Sequence, residues 1–269
     1  ESQVINTLIK AYRKKKKVTV VIELQARFDE EANIHWTTRL REGGVRIIHG
    51  VRDLKVHCKL CQVDRWEKDC LVRYTSIGTG NLNENTARIY SDHNLFTTDE
   101  EIGEEVARIF EFFDHNYKTS RYSHLLVSPF YQRKKLVKMV KKEIDNAIKG
   151  KDAWIILKIN SLHDKEMIDI LYKASNAGVK IKLIVRGICS LIPGVKGMSE
   201  NISVVSIVDR FLEHSRIFMF CNGGDEKHYI SSADWMTRNL DRRVEVACPV
   251  YDEDIRNELR EFIAIQLQD

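Results

Sequence analysis

The chain has 269 residues, enough for one large domain or two modest ones, and hydrophobic residues make up 43% of them, which argues against wholesale disorder. The formal net charge is only +4, so an anionic partner would have to be bound by local clusters of basic residues rather than by bulk charge. No apolar run approaches the length needed to cross a bilayer and the N-terminus shows no signal-peptide pattern, so the sequence predicts a cytoplasmic protein.

The first part of the chain predicts a strand–helix–strand unit. After a short helix and a basic run within residues 1–17, Val18–Ile22 predicts a strand and Asp29–Glu42 a helix. We expect the helix to end at Gly43 and Gly44, because glycine is common just past a helix C-terminus. Three further extended segments follow, at Val45–Ile48, Leu54–Leu60 and Ile77–Asn81.

The middle of the chain carries two amphipathic helical patterns. Glu100–Phe113 and Gln132–Ile148 both place apolar residues at helical spacing, and the second has an outer face dense in lysine and arginine. A polar, aromatic stretch at residues 114–131 separates them. We therefore place a domain boundary near residue 124.

The last part of the chain repeats the order of the first. A strand at Trp154–Leu157 precedes an amphipathic helix at Lys165–Asn176, which Gly178 ends. The elements that follow are a strand at Val179–Val185, the segments Phe211–Arg216 and Ile230–Trp235, and a final helix at Glu253–Gln266.

This repetition predicts an α/β protein with two domains, residues 1–124 and 125–269. Each copy delivers a histidine on a predicted strand, His57 in the first and His214 in the second. Strand–helix–glycine–strand units arise by chance in any α/β chain, but chance does not explain a matched histidine after each unit.

The pair His57 and Lys59 is the sharpest chemical feature. On a strand the two side chains share one face, which places a cation beside an imidazole whose ring nitrogen can attack a phosphoryl group. Asp64 follows at the spacing of the HxKxxxxD motif of the phospholipase D superfamily, and Gly78–Asn81 resembles the element that follows that motif. The alternative is a structural histidine, which is the commoner reading for an isolated HxK.

The second copy departs from that motif. Arg216 stands where lysine would follow His214, and Cys221 replaces the aspartate. Arginine keeps the charge and offers a bidentate fork for phosphate, so a phosphate site is still expected. A phosphodiesterase with two equivalent half-sites becomes less favoured.

Six longer blocks together resemble polyphosphate kinase, and the resemblance extends over nearly the whole chain from Val18 onward. The resemblance implies two phospholipase D-like repeats, each a mixed β-sheet flanked by helices, packed as a pseudo-dimer. It also implies reversible transfer of the γ-phosphoryl group of ATP to the end of inorganic polyphosphate through a phosphohistidine. The blocks are Val21–Asn33, Leu54–Leu60, Ile77–Asn83, Leu183–Leu191, Ser206–Arg216 and Ser231–Asn239.

The resemblance also implies roles for single residues. His57 would be phosphorylated, and His214 would assist transfer and contact the nucleotide. Tyr90 and Arg186 would bind ATP, although an isolated tyrosine at a strand edge is more often a packing residue. Arg27 falls at a magnesium-site position; since guanidinium cannot ligate a cation, we read it as gripping phosphate oxygens that hold Mg²⁺.

The implied cofactor is Mg²⁺, and the implied partners are ATP, ADP and inorganic polyphosphate, with N-terminal domains of the same chain before residue 1 and a homo-oligomer in the full-length protein. No nucleic-acid partner is expected. The expected location is the cytoplasm, with peripheral association with the inner membrane as an alternative.

Two rival functions remain: a phospholipase D-type phosphodiesterase or nuclease, and a non-catalytic polyanion-binding fragment. Arg238, Arg242 and Arg243 either line a polyanion channel or pair with Asp241 and Glu245.

Overall fold

The computed structural model describes residues 2–23, 30–116 and 120–268. The chain divides into two compact units, one formed by Glu1–Val56 with Ala107–Arg121 and the other by His57–Val106 with Tyr122–Asp269. Both predicted active-site histidines belong to the second unit. The predicted boundary at residue 124 separates sequence repeats rather than compact units, and it stays a prediction.

The first unit is a small α/β layer. Strands β1 and β2 pair in parallel, with Thr19 opposite Arg46, and a small core of Ile9, Leu40 and Val45 joins the helices to them. Its complete elements are α1 (Gln3–Arg13), β1 (Thr19–Ile22), α2 (Glu30–Glu42), β2 (Arg46–His49) and β3 (Lys55–Val56).

Glycine ends a helix in each unit, as predicted. Gly44 follows α2 with φ of 83°, and Gly178 follows the helix Lys165–Asn176 with φ of 96°. Only glycine adopts this left-handed conformation without strain, and the next residue then donates its N–H back to the last helical turn. Val45 donates to the carbonyl of Leu40, and this turn directs the chain straight into β2.

The second unit is built on a mixed sheet in which β11, β10, β9, β13, β14 and β15 are neighbours in that order and β8 also pairs with β15. The first three are parallel, and the others join antiparallel. Its strands are β4 (Lys59–Glu67), β5 (Cys70–Gly78), β6 (Tyr90–Ser91), β7 (Asn94–Thr97), β8 (Leu126–Ser128), β9 (Trp154–Ile159), β10 (Lys180–Val185), β11 (Ile202–Val205), β12 (Leu212–Glu213), β13 (Arg216–Phe220), β14 (Lys227–Ser231) and β15 (Arg243–Pro249).

Five helices accompany these strands: α3 (Glu100–Asp114), α4 (Gln132–Ile148), α5 (Lys165–Asn176), α6 (Thr237–Asp241) and α7 (Glu253–Gln266). Helix α3 begins in the second unit and ends in the first. Two smaller sheets complete the second unit, the antiparallel β4–β5–β7 sheet and the parallel pair β6–β12. Within the described residues, no helix is both long and apolar enough to span a bilayer.

The core of the second unit lies between the main sheet and its helices. Leu157 on β9 and Phe218 on β13 are fully buried, and Leu136 and Val140 turn the apolar face of α4 toward the same cluster. Strand β9 is largely buried and β10 is buried on both faces over its last three residues, and such segments read as apolar runs, which is why both strands were evident in the sequence. The large core gives β9, β10 and β13 a rigid base for the residues at their ends.

The predicted α/β class is confirmed, and the bounds of α4, α5 and α7 agree with those expected from the sequence. The prediction that both histidines lie on strands is wrong. His57 lies between β3 and β4, and His214 lies between β12 and β13. Each histidine lies in a break between two strands. Its backbone N–H donates outside the strand ladders, to Val244 for His57 and to Ser91 for His214.

Leu157→Ala tests this core. The change removes a fully buried side chain from the centre of the main sheet, so the free energy of unfolding should fall by about 2–5 kcal/mol. Chemical denaturation followed by circular dichroism measures the change. Leu82→Ala is the control, since Leu82 is 72% exposed and its loss should cost under about 0.5 kcal/mol. Equal costs for the two variants would contradict this account.

Candidate functional site

His57 is fixed by a buried carboxylate. Its Nδ1 lies 2.9 Å from Oε2 of Glu245, a residue of β15 whose side chain is fully buried. An ionised carboxylate only accepts hydrogen bonds, so Nδ1 carries the proton and Nε2 keeps its lone pair when the ring is neutral. The ring is therefore presented as a nucleophile through Nε2.

Glu245 is itself held by two neutral donors. Ser232 Oγ donates to Oε2 at 2.5 Å, and Asn239 Nδ2 donates to Oε1 at 2.7 Å. Both donors are buried. Burial alone would raise the pKa of Glu245, but its contact with His57, the charge of Lys59 and the Ser232 hydrogen bond lower that pKa overall. The carboxylate stays ionised and oriented.

The environment of His57 favours its neutral form. Burial lowers the pKa of the ring below its usual value of 6.5, Glu245 acts in the opposite direction, and the charges of Lys59 and Arg243 lower the pKa further. The net direction is downward. A neutral imidazole at pH 7 is the form that can attack phosphorus.

Lys59 lies beside the nucleophile. Its Nζ donates to the carbonyl oxygen of His57 at 2.5 Å, and the residue is 8% exposed. Burial lowers the pKa of Lys59 to about 8; Glu245 opposes this shift, and Arg216 adds to it. The ammonium group is therefore charged at pH 7 but close to its titration range.

His214 has a parallel arrangement. Its Nδ1 lies 2.9 Å from Oδ1 of Asp92, and Thr79 Oγ1 donates to the same carboxylate at 2.7 Å. Burial lowers the pKa of His214, Asp92 opposes that effect and Arg216 adds to it. The Tyr90 ring lies 4.9 Å from the His214 ring, centroid to centroid. Tyr90 therefore lies within the site that contains His214.

The backbone repeats the same device around both histidines. The N–H groups of His57 and Cys58 both donate to the carbonyl oxygen of Val244, at 3.0 and 2.9 Å. Those of His214 and Ser215 both donate to Ser91, at 3.1 and 2.9 Å. In each case the residue after the accepting carbonyl is the acid that holds the imidazole. Each histidine is thus attached twice, through its backbone and through its ring.

A second buried ion pair lies next to His214. Arg216 pairs with Asp234 at 3.2 Å, and its Nη1 lies 3.1 Å from Nε2 of His214. Asp234 also accepts the backbone N–H of Asn160, whose side-chain oxygen accepts from Arg186 Nε at 2.5 Å. Arg186 thus joins the site at the carboxyl end of β10, where α/β sheets commonly bind ligands.

Electrostatic effects link the two histidine groups. The charge of Lys59 lowers the pKa of His214, and His57 contributes to lowering the pKa of Asp234, against the effect of burial. Arg216 likewise acts on Lys59. His57, His214 and their cations therefore form one cationic site, with three carboxylates already occupied by internal partners.

The predicted residues did not all join this site. Asp64 is half exposed and lies 3.9 Å from Arg73, so it holds no part of the His57 group. Arg27 lies outside the described residues. The acids Asp92 and Glu245 were not predicted as ring partners. The alternation of residues 243–246 would place Glu245 on an exposed face, whereas every residue of β15 after Arg243 is buried.

The described residues do not supply a protein cage for a divalent cation. No group of three or more histidine, cysteine, aspartate or glutamate side chains among them is arranged to hold a metal. Three acids of the described site, Asp92, Asp234 and Glu245, are each paired with a histidine or an arginine. With these acids paired internally, the cations Lys59, Arg186 and Arg216 suit anionic phosphate oxygens better than Mg²⁺.

Comparison with known proteins agrees with this geometry. Residues 1–119 match the family model described as polyphosphate kinase C-terminal domain 1, and residues 125–269 match polyphosphate kinase C-terminal domain 2. The chain belongs to the polyphosphate kinase family. The curated polyphosphate kinases of Klebsiella pneumoniae and Escherichia coli K12 are each 51% identical to it over 269 residues. These matches cover 100% of this chain but only 39% of the length of each relative.

A solved structure of the family shares the fold. The crystal structure of polyphosphate kinase from Porphyromonas gingivalis aligns with a TM-score of 0.92 and 43% identity, covering 100% of this chain and 41% of that one. A phospholipase D family member, Nuc from Salmonella typhimurium, aligns over 54% of this chain and 90% of its own, with a TM-score of 0.37 and 15% identity, and carries no functional argument.

Glu245→Gln tests the ring partner of His57. The change removes the negative charge that raises the pKa of His57, so that pKa should fall further below 6.5. Titration of the ring by NMR measures the shift. Glu200→Gln is the control, since Glu200 is exposed and removes an equal charge elsewhere. An unchanged or higher pKa of His57 in Glu245→Gln would contradict the assignment.

Proposed function

We propose that this chain is the catalytic portion of an ATP–polyphosphate phosphotransferase, in which His57 carries the phosphoryl group between ATP and inorganic polyphosphate. The observation that carries the proposal is the Nδ1 contact of His57 with buried Glu245, which leaves Nε2 free to attack. The surrounding cations supply the electrostatic stabilisation that phosphoryl transfer mainly requires.

In the first half-reaction, Nε2 of His57 attacks the γ-phosphorus of ATP. The N–P bond forms as the bond to the bridging β–γ oxygen breaks, and ADP leaves with that oxygen. The attacking imidazole becomes positively charged, and Glu245 stabilises that charge through Nδ1–H. Lys59 is placed to neutralise negative charge on the transferring group.

In the second half-reaction, a terminal oxygen of polyphosphate attacks the phosphorus of phospho-His57. The P–O bond forms as the N–P bond breaks, and the ring returns to its neutral state with its proton still on Nδ1. The reverse sequence makes ATP from ADP and polyphosphate. We propose that His214 and Arg186 position the nucleotide phosphates. Asp92 holds Nδ1 of His214, and Arg216 lies against its Nε2.

Mg²⁺ enters this proposal only with the nucleotide. Because the described residues around the histidines are cations and internally paired acids, the ion would be held by phosphate oxygens of Mg-ATP rather than by a protein cage. The ATP-contacting role of Tyr90, the phosphate-binding role of Arg216 and the magnesium-phosphate role of Arg27 remain predictions, as do the homo-oligomer and the cellular location.

The central test is transfer of label to His57. Incubation of the protein with γ-labelled ATP and Mg²⁺ should yield acid-labile, alkali-stable label on the wild type and none on His57→Ala. His163→Ala is a matched control, because His163 is an exposed histidine of the same unit and should leave labelling unchanged. Label that persists in His57→Ala would refute the nucleophile.

Two rival functions predict other results. A phospholipase D-type phosphodiesterase would cleave a phosphodiester without ATP, and a non-catalytic module would bind polyphosphate without forming phosphoenzyme. The internal pairing of Arg216 with Asp234, where the phosphodiesterase motif has lysine, favours the kinase over the first rival. Chase of the labelled protein with ADP, which should regenerate labelled ATP, separates the kinase from both.

The pKa of Lys59 predicts the pH dependence of ATP binding. Because that pKa is lowered to about 8, Lys59 loses its charge as pH rises through 8, and the affinity for ATP should fall by up to about tenfold per pH unit above it. Equilibrium binding of ATP between pH 7.5 and about 9.5 measures this.

Lys59→Arg is the companion variant, since arginine stays charged over the whole range. Its ATP affinity should be flat where that of the wild type falls. A wild-type affinity that does not change between these pH values would show that Lys59 does not bind the phosphates.

A further inference from the structure

The outer face of α4 carries charge that the active site does not use. Three lysines on this helix, Lys138, Lys141 and Lys142, are exposed and make no hydrogen bond or ion pair with any residue the structure describes. They line an open groove of about 470 Å³ between α4 and the start of β14. The groove contains a fourth lysine, Lys227, which pairs with Asp225 at 2.7 Å.

The composition of the groove determines what can occupy it. Asp145 is the carboxylate in the lining, and Asp225 beside it pairs with Lys227 and has its pKa lowered also by Lys142, so the four lysines still leave the groove cationic. Tyr229, the aromatic residue in the lining, is 9% exposed and offers no free ring face. Single-stranded nucleic acid is bound by stacking its bases on exposed aromatic rings, and the lining of this groove offers no exposed aromatic ring. A narrow polyanion without bases fits it better.

The groove lies away from the reacting histidine. Strands β13 and β14 pair with Arg216 opposite Ser231 at one end and Phe220 opposite Lys227 at the other. The four residue steps from Arg216 to Phe220 span about 13 Å at ~3.3 Å per residue. The Arg216 end belongs to the active site, and the Lys227 end belongs to the groove. A ligand occupying both must therefore be long.

We propose that this groove, the α4 lysine groove, is a distal binding site for the polyphosphate chain, contacted by long chains whose reacting end lies at His57 and out of reach of a short chain bound there. This inference rests on the proposed function for its ligand. The lysines along α4 follow one another within about 6 Å of helix rise, so a flexible polyanion can contact several at once. The site gives long chains added affinity and retains them between transfers.

The test is the triple variant Lys138→Gln, Lys141→Gln and Lys142→Gln. Its Kd for long-chain polyphosphate should rise about tenfold, and the slope of log Kd against log salt should fall by about two, since each phosphate contact contributes ~0.7 to such a slope in single strands. The tripolyphosphate concentration that half-maximally discharges phospho-His57 should not change, because a short chain bound at the active site does not reach the groove. The positions are exposed, so folding should be unaffected and circular dichroism should match the wild type.

A matched control removes the same charge elsewhere. Lys173, Lys182 and Lys196 are exposed lysines of the same unit, outside the groove, and their triple glutamine variant should bind long-chain polyphosphate like the wild type. An unchanged Kd in the α4 variant, or an equal rise in the control, would overturn the site. So would loss of binding to phosphatidylserine vesicles with polyphosphate binding intact, which would mark the groove as a membrane contact.

Labelling of His57 separates this inference from the function it rests on. The α4 variant should form phosphoenzyme from γ-labelled ATP at the wild-type rate, because that step needs no polyphosphate. If the wild type forms no phosphoenzyme, the proposed kinase activity fails. A polyphosphate Kd that still depends on the three lysines would then support the groove as a binding site in its own right.

Discussion

A carboxylate buried without solvent contact is the constraint around which the site is organised. Glu245 cannot remain ionised in the protein interior unless every oxygen finds a partner, because an unpaired buried charge costs several kcal/mol. His57, Ser232 and Asn239 are those partners. The tautomer of His57, the position of its reactive nitrogen and the depressed pKa of the acid all follow from this one requirement.

The remaining cations of the site differ in how far their charge is already paired inside the protein. Arg216 is committed to Asp234 and to the face of His214, so much of its hydrogen-bonding capacity is used before any ligand arrives. Among the described residues, Lys59 and Arg186 each make a single short side-chain hydrogen bond, and burial lowers the pKa of both, a sign that neither charge is fully compensated. Phosphate oxygens would supply that compensation. The site is thus incomplete in a way that only an anion corrects.

The sequence predicted the helices well, because their apolar periodicity is a local signal. Helices α4, α5 and α7 each place a stripe on the core, and the bounds agree. The β4–β5 hairpin was largely missed, since its nine-residue strands alternate polar residues on a face that stays exposed and carry little apolar pattern. The site was predicted where motifs are contiguous, as at His57 and Lys59. It was missed where partners are remote: Glu245 lies 188 residues from His57, and no local pattern indicates that distance.

The paired backbone attachments of the two histidines make the site sensitive to chain length rather than to composition. In each, an accepting carbonyl, of Val244 or of Ser91, is followed at once by the acid that holds the ring. Since successive side chains of an extended segment point to opposite sides, one inserted or deleted residue at that junction would turn the acid away while the backbone grip survived. In homologous chains, the residue that supplies the carbonyl should therefore vary in type, whereas insertions and deletions between it and the following acid should be absent.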